Sequence, residues 1–430
     1  MTTDFVGQFR IAGLKPPVRS LLDTDFYKFT MGNLIWQKYR DVEVTFKLIV
    51  RDGSIPVHEI IPQALLAKCL DYARTLRLDY TELSYLRGMR VYGANMFAEG
   101  YTEFLETFQL PPYSLKKGRG GYELTFSGPW VEVSMWETIA LAIISELYYR
   151  VRMEPMTDTE LDILYSRAKD RIYTKLEKLG RHPGIRFADF GQRRRHSFLW
   201  QEYVLKLCRE TMGEQFTGTS NTWMAARHSL TPIGTNAHEL PMVLAALAES
   251  DESLRQSQYE ILPEWEALYG TGLRVFLPDT FGTDQFLAGA PEALAHQWRG
   301  MRQDSGNPIH VGHRYLDFLR RHGVDPREKL IVFSDGLDVD PMLGLYEEFE
   351  GQVGVGFGWG TLLTNDFTLC YPKDPLFKPF SMVCKVVEAN GRPCVKLSDN
   401  VNKATGPAEE IARYARIFGT SGRTSEKVIV

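Results

Sequence analysis

Seven short apolar segments in the second half of the chain each run into a cluster of Gly, Ser, Thr, Asp, Arg or His, with room for a helix before the next. The clusters are ADFGQRRRHS (188–197), FTGTSN (216–221), IGTNAHE (233–239), LPDTFGTD (277–284), MRQDSGN (301–307), VFSDGLD (332–338) and GVGFGWGT (354–361). Strands joined through helices run parallel, so their tips gather at one end. Such a series predicts a β/α barrel whose loops face one pocket, the place for an enzyme of small phosphorylated molecules. Seven candidates between Ile185 and Gly360 are one fewer than a regular barrel of about eight. The barrel is therefore irregular, or an eighth strand lies unmarked. No strict period relates the segments, which excludes a solenoid.

The flanks read differently. Residues 23–40 have helical spacing, with Asp23 or Thr24 as the expected cap. Residues 42–51 alternate as a strand, and 60–77 return to helical periodicity. Residues 122–135 read as two strands around Ser127-Gly128-Pro129. The apolar run 138–152 contains Glu146 and is too short to span a bilayer, so a buried helix is expected. A long helix follows at about 158–179. Beyond residue 366 the rhythm stops, and 382–399 reads as a hairpin turning at Asn390-Gly391. This segment is expected to return to the N-terminal sheet. The expected division is a mixed N-terminal domain (1–155), a catalytic barrel (156–370) and a C-terminal segment rejoining the first domain (371–430). Residues 420–427 look loosely ordered.

A net charge of -4 argues against a dedicated nucleic-acid binder. Five widely spaced cysteines with no CxxC pair argue against a zinc ribbon and for reduced thiols in a cytoplasmic protein. The first 17 residues have no apolar core of a signal peptide. A soluble protein is expected.

Chemistry concentrates at the tips. His238 precedes the helix ELPMVLAALAES and could be a cap, a general base or a nucleophile; neutral imidazole is nucleophilic near pH 7. Arg193, Arg194 and Arg195 follow Phe190-Gly191. Three cations at a helix start oppose its dipole unless an anion compensates, which favours phosphate binding, Arg193 first. Asp279, Asp304 and Asp335 could each cap a helix, or hold Mg²⁺ or sugar hydroxyls; Arg302 beside Asp304 favours a site. The glycine run 354–361 comes last in the series and opens no βαβ unit, so it is no dinucleotide fingerprint. Its glycines would let backbone N–H groups approach a phosphate. His310 and His313 lack accompanying carboxylates, and no metal ligand set is assignable. Tyr27 by itself reads as helix core.

The motifs DTDFYKFTMGN, FGQRRR, GTSN, IGTNAHEL, DTFGT, RQDSGNP, FSDGLD, GFGWGTLLTND and VKLSDNVNKATGP, in that order, resemble the nicotinate phosphoribosyltransferase family from Asp23 to Pro407. The resemblance implies an irregular β/α barrel of the type II phosphoribosyltransferase kind, with a mixed α+β domain from both termini. It implies synthesis of nicotinate mononucleotide from nicotinate and 5-phosphoribosyl 1-diphosphate, coupled to ATP, with Mg²⁺, in a homodimer with the site near its interface. By motif, His238 matches a transiently phosphorylated histidine. Tyr27 and Phe190 match aromatics around the pyridine ring, and Thr235 and Arg302 match contacts to nicotinate. Arg193 matches a diphosphate or phosphate contact. Gly358, Gly360 and Thr361 match the phosphate cradle, while Asp279 and Asp335 lie near ribose and histidine. Asn307 departs from the common DSGDP pattern, which bears on nicotinate against nicotinamide. Quinolinate or nicotinamide transfer on the same scaffold, and a non-catalytic phosphate-metabolite binder, are the alternatives.

Overall fold

The computed structural model describes residues 15–91, 93–118 and 120–426. The stretch read for a signal peptide falls largely outside them, as does Lys427. In chain order the strands are β1 Glu43–Val50, β2 Arg90–Val91, β3 Ala94–Asn95, β4 Tyr113–Gly118, β5 Gly121–Pro129, β6 Phe187–Asp189, β7 Phe216–Thr219, β8 Val275–Phe276, β9 Gly300–Gln303, β10 Leu330–Phe333, β11 Gly354–Trp359, β12 Met382–Ala389 and β13 Arg392–Pro393.

Six of them form a parallel sheet in the order β7-β6-β11-β10-β9-β8. The seventh expected segment is present as a bridge rather than a strand. Thr219 N donates to Thr231 O at 3.1 Å and Ile233 N to Thr219 O at 2.8 Å, which continues the sheet beyond β7. From there the Thr235 hydroxyl donates to Val275 O of β8 at 3.4 Å, so a side chain spans the seam. The barrel is irregular, as expected.

The second sheet is antiparallel, β13-β12-β1-β5-β4. β1 alternates, burying Val44, Phe46 and Leu48. β12 pairs with it from Val44↔Ala389 to Val50↔Met382, so the C-terminal segment rejoins the N-terminal sheet. Asn390 and Gly391, at φ 45° and 76°, make the turn that the pair announced. After β13 the chain leaves this sheet and crosses to the barrel mouth, where Leu397 N donates to Thr280 O at 2.9 Å. Helix Ala408–Phe418 then buries Tyr414 and Phe418 with Phe281, Val395 and Leu397 in a small core of their own.

Four local expectations fail. The Ser-Gly-Pro segment is no hairpin: β5 runs through it, and residues Trp130–Val133 form a helical turn. Trp130, Val131 and Val133 are all buried, so the apparent alternation does not separate two faces; the hairpin is β4–β5, one element earlier. Neither Asp23 nor Thr24 caps the first helix, which spans Tyr27–Lys38 without a side-chain cap. Asp304 and Asp335 are not caps either, since Asn307 and Asp338 hold those positions. The tail up to Glu426 is tied down, with Thr424 N on Asp399 O at 2.7 Å and Arg423 on Phe281 O at 3.0 Å.

The 138–152 run lies in helix Trp136–Met153, buried on nearly every side, with Glu146 accepting from Arg150 and from Phe198 N. Among the described residues no helix is long and apolar enough to cross a membrane.

Asp23 is spent on Arg195. The pair is bidentate at 2.7 and 2.8 Å with both side chains at 0 % exposure, and Pro17 O, Gln192 and Gln201 take further guanidinium protons. Removing one partner of such a pair strands a charge in a dry interior. Arg195→Met is expected to lower unfolding stability by about 3–5 kcal/mol, read from urea denaturation, and Arg195→Lys to recover little of it.

Candidate active site

At the carboxyl ends of the barrel strands lies a cavity of about 770 Å³. It continues into a second lobe of about 680 Å³ under the C-terminal segment. Arg193, Arg194, Asp304, Ser334, Gly360, Thr361 and Lys385 border both.

Tyr27 and Phe190 line the first lobe. Tyr27 stands at the start of its helix because the chain before it is pinned, Phe26 N donating to Ser220 O at 2.7 Å. Phe190 is seated by a missing side chain: a Cβ on Gly358 would lie 2.3 Å from its ring. Arg302 donates through one terminal nitrogen to Asn236 O at 3.2 Å, while its Nε has no acceptor. Asp25 also faces this lobe, its carboxyl pushed up to about 6 by burial against the pull of Arg193.

His238 borders the first lobe, 3 % exposed, and its neighbours Asp304 and Lys396 border the second. Its Nδ1 lies 2.9 Å from Thr280 Oγ1. Its Nε2 lies 3.0 Å from Asp304 Oδ2, 2.9 Å from Lys396 Nζ and 3.6 Å from Asp279 Oδ1. Burial, with Lys396 adding to it, outweighs the two carboxylates and lowers the imidazole to about 4, so it is neutral at pH 7. A neutral ring carries one proton, so Nε2 serves Asp304 or Lys396 but not both. With the proton on Nε2 it donates to Asp304; with the proton on Nδ1 it donates to Thr280, and its Nε2 lone pair meets Lys396. The second tautomer is the nucleophilic one.

His238, Asp279 and Asp304 bring ligand atoms within 4.8 Å of one another, the pattern of a cation site. The Lys396 ammonium already stands there, 3.4 Å from Asp279 Oδ2. The cluster has its cation, and its residues do not fit a divalent ion as well.

The second lobe is basic. Arg51, Arg193, Arg194, Lys385, Lys396 and Lys403 face it against Asp304 and Asp335, six cations to two anions. Lys403 pairs with Asp335, and burial, with crowding added, lowers Arg51, Arg194 and Lys385. Burial beside Arg193 and Arg51 brings Arg194 down to about 10. Burial, opposed by Glu137, brings Lys385 to about 8. Like charges held this closely await a polyanion.

The structure thus gathers Tyr27, Phe190, Arg193, His238, Arg302, Asp304, Asp335, Gly360 and Thr361 around one space. Asp279 stands behind it, accepting from Ser305 at 2.5 Å. Thr235 and Gly358 are outside the lining: the Thr235 hydroxyl is used at the barrel seam, and Gly358 makes room for Phe190. Of the three arginines, Arg195 is structural. Arg51, Lys385, Lys396 and Lys403 were assigned no role from sequence; Lys396 and Lys403 lie in the quoted VKLSDNVNKATGP, but nothing local ties them to a histidine some 158 positions away.

Residues 185–421 match the nicotinate phosphoribosyltransferase (NAPRTase) family model, and residues 22–145 match its N-terminal domain. The fold is similar to a nicotinate phosphoribosyltransferase from Porphyromonas gingivalis, at 28 % identity and TM-score 0.83, over 94 % of this chain and 100 % of that one. It is likewise similar to a nicotinate phosphoribosyltransferase from Vibrio cholerae, at 30 % identity and TM-score 0.83, over 94 % and 96 % of the two chains.

Lowering His238 from 6.5 to about 4 has a measurable sign. Between these values the unfolded chain takes up a proton that the folded one refuses, so stability falls as pH drops through the window. His238→Gln removes this term. Its urea midpoint should fall less steeply than wild type between pH 6.5 and about 4.

Proposed function

The chain belongs to the nicotinate phosphoribosyltransferase family, and we propose that it joins nicotinate to C1 of 5-phosphoribosyl 1-diphosphate, releasing diphosphate, with ATP hydrolysis coupled through a phosphohistidine at His238. The observation that carries this reading is the neutral, buried imidazole in the wall of an arginine-bearing aromatic lobe, joined through Lys396 and Asp304 to a lobe of six cations.

Each lobe suits one substrate. The pyridine ring lies with Tyr27 and Phe190, and Arg302, whose Nε stands 3.9 Å from Asp304 Oδ1 without a hydrogen bond, takes its carboxylate. Nicotinamide offers no charge to Arg302. Quinolinate would set its second carboxylate against Asp25. The basic lobe takes the diphosphate and the ribose phosphate, with Gly360 and Thr361 at the end of β11 supplying close backbone approach. As the C1–O bond breaks, negative charge gathers on the diphosphate, where the cations stand ready; positioning and electrostatics carry the step.

In the coupled step, Nε2 of His238 attacks the terminal phosphorus of ATP. An N–P bond forms, the P–O bond to ADP breaks, and the ring keeps its proton on Nδ1, donated to Thr280 Oγ1. Asp279 and Asp304 flank the ring, and Asp279 holds Lys396, which turns to the transferred phosphoryl group. Mg²⁺ would enter on the phosphates, since the carboxylates near the histidine are already paired. Five buried, unpaired cysteines support a reducing, cytoplasmic setting. A mere binder of phosphate metabolites would have no use for the histidine.

His238→Ala is expected to abolish stimulation by ATP while leaving slow ATP-independent transfer. Incubating wild type with γ-labelled ATP should give acid-labile label on the protein, absent from the variant; label retained by the variant sinks the phosphohistidine. Arg302→Met should raise KM for nicotinate about 10–100-fold, as for loss of a charged hydrogen bond, and narrow its advantage over nicotinamide.

A further inference from the structure

Glu137 does not border either lobe of the cavity, yet three of its four partners do. It is 3 % exposed, on the first turn of helix Trp136–Met153. The Tyr27 hydroxyl donates to its Oε2 at 3.2 Å. Lys28 Nζ pairs with the same oxygen at 2.6 Å. Its Oε1 faces Arg193 at 3.7 Å and Lys385 at 3.9 Å. Burial works against its charge, but Lys28, Lys385 and Arg193 prevail and hold the carboxyl well below the ordinary range. Lys28 continues the chain of contacts to Glu239 at 2.5 Å, the residue after His238, and Trp130 Nε1 donates to Glu239 at 2.6 Å. Neither lysine nor carboxylate is exposed enough to need a charge for solubility, and buried ions are retained where they fix geometry.

We propose that Glu137 is a positioning residue for the transfer reaction: one buried carboxylate that sets the ring-binding Tyr27 and the donor-binding Arg193 and Lys385 relative to each other. The inference rests on the substrate assignment above. Tyr27 brings a single hydroxyl to this anchor, whereas Arg193 and Lys385 bring charge. Severing the anchor at the tyrosine end therefore affects the base alone; neutralising it at the glutamate affects base and donor together.

Steady-state kinetics on the full chain test this. Tyr27→Phe removes only the hydroxyl and should raise KM for nicotinate about fivefold, leaving KM for the ribosyl donor unchanged. Glu137→Gln should raise both KM values about tenfold, with a smaller change in kcat. In the double variant, KM for nicotinate should be no higher than in Glu137→Gln, because both changes cut one link. Multiplying effects, or wild-type KM values in a folded Glu137→Gln protein, overturn the proposal. If Glu137→Gln does not fold, unchanged KM for nicotinate in Tyr27→Phe does so alone.

A second readout is independent of substrate. Lys385, at about 8, is surrounded by Glu137, Lys396, Arg193 and Arg51. Loss of the only carboxylate among them should move the pH profile of Lys385 acylation to lower pH; an unmoved profile refutes the anchoring whichever base the enzyme takes. Inactivity of the wild-type protein on nicotinate, with this shift present in Glu137→Gln, would instead discard the substrate assignment and keep the anchoring.

Discussion

The antiparallel ladder between β1 and β12 is the constraint on which the site depends. A strand edge leaves unpaired backbone groups, and the return of residues 382–389 satisfies those of β1 over its whole length. That pairing fixes Lys385 beside the barrel and aims the following residues across the barrel mouth. Leu397 then binds Thr280, whose hydroxyl meets His238, and Lys396 arrives at the imidazole. The barrel contributes the histidine, Arg193, Arg194 and Arg302; Arg51 and the lysines reach them only because the chain has first closed a different sheet.

Electrostatics inside this junction follow from dryness. Charges out of water are tolerated when each has a partner, and here Asp23 has Arg195, Lys28 has Glu137 and Glu239, and Asp279 has Lys396. His238 escapes ionisation chiefly through burial, with Lys396 beside its ring adding to the cost of a second proton. What is left over is a surplus of positive charge facing the second lobe. A polyanionic substrate completes the balance that the protein alone leaves open.

Much of the barrel was legible in the sequence because its signal is local. A short apolar run, a polar tip and a helix declare themselves within some 30 residues, and six of the seven segments are strands of one parallel sheet, the seventh a bridge at its edge. Asn390-Gly391 was equally plain, since few pairs tolerate φ of 45° and 76°. Errors arose where tertiary contact overrode a local pattern. WVEV looks like a strand until Trp130 finds Glu239, and Asp23 looks like a cap until Arg195 claims it. The three consecutive arginines are alike in sequence and unlike in place: Arg195 is wholly buried, while Arg193 and Arg194 face the cavity.

The sequence by itself determined the parallel barrel, the place of His238 at a strand tip and the family resemblance, since all three are carried by neighbouring residues and their order. Only the tertiary structure decided which charges are spent on holding the fold and which remain for a ligand. It alone placed Lys396 on His238 and put Glu137 behind Tyr27, contacts spanning 158 and 110 positions. The reason is physical: a side chain's charge state and availability depend on what surrounds it in a medium of low polarity, and those surroundings come from distant parts of the chain.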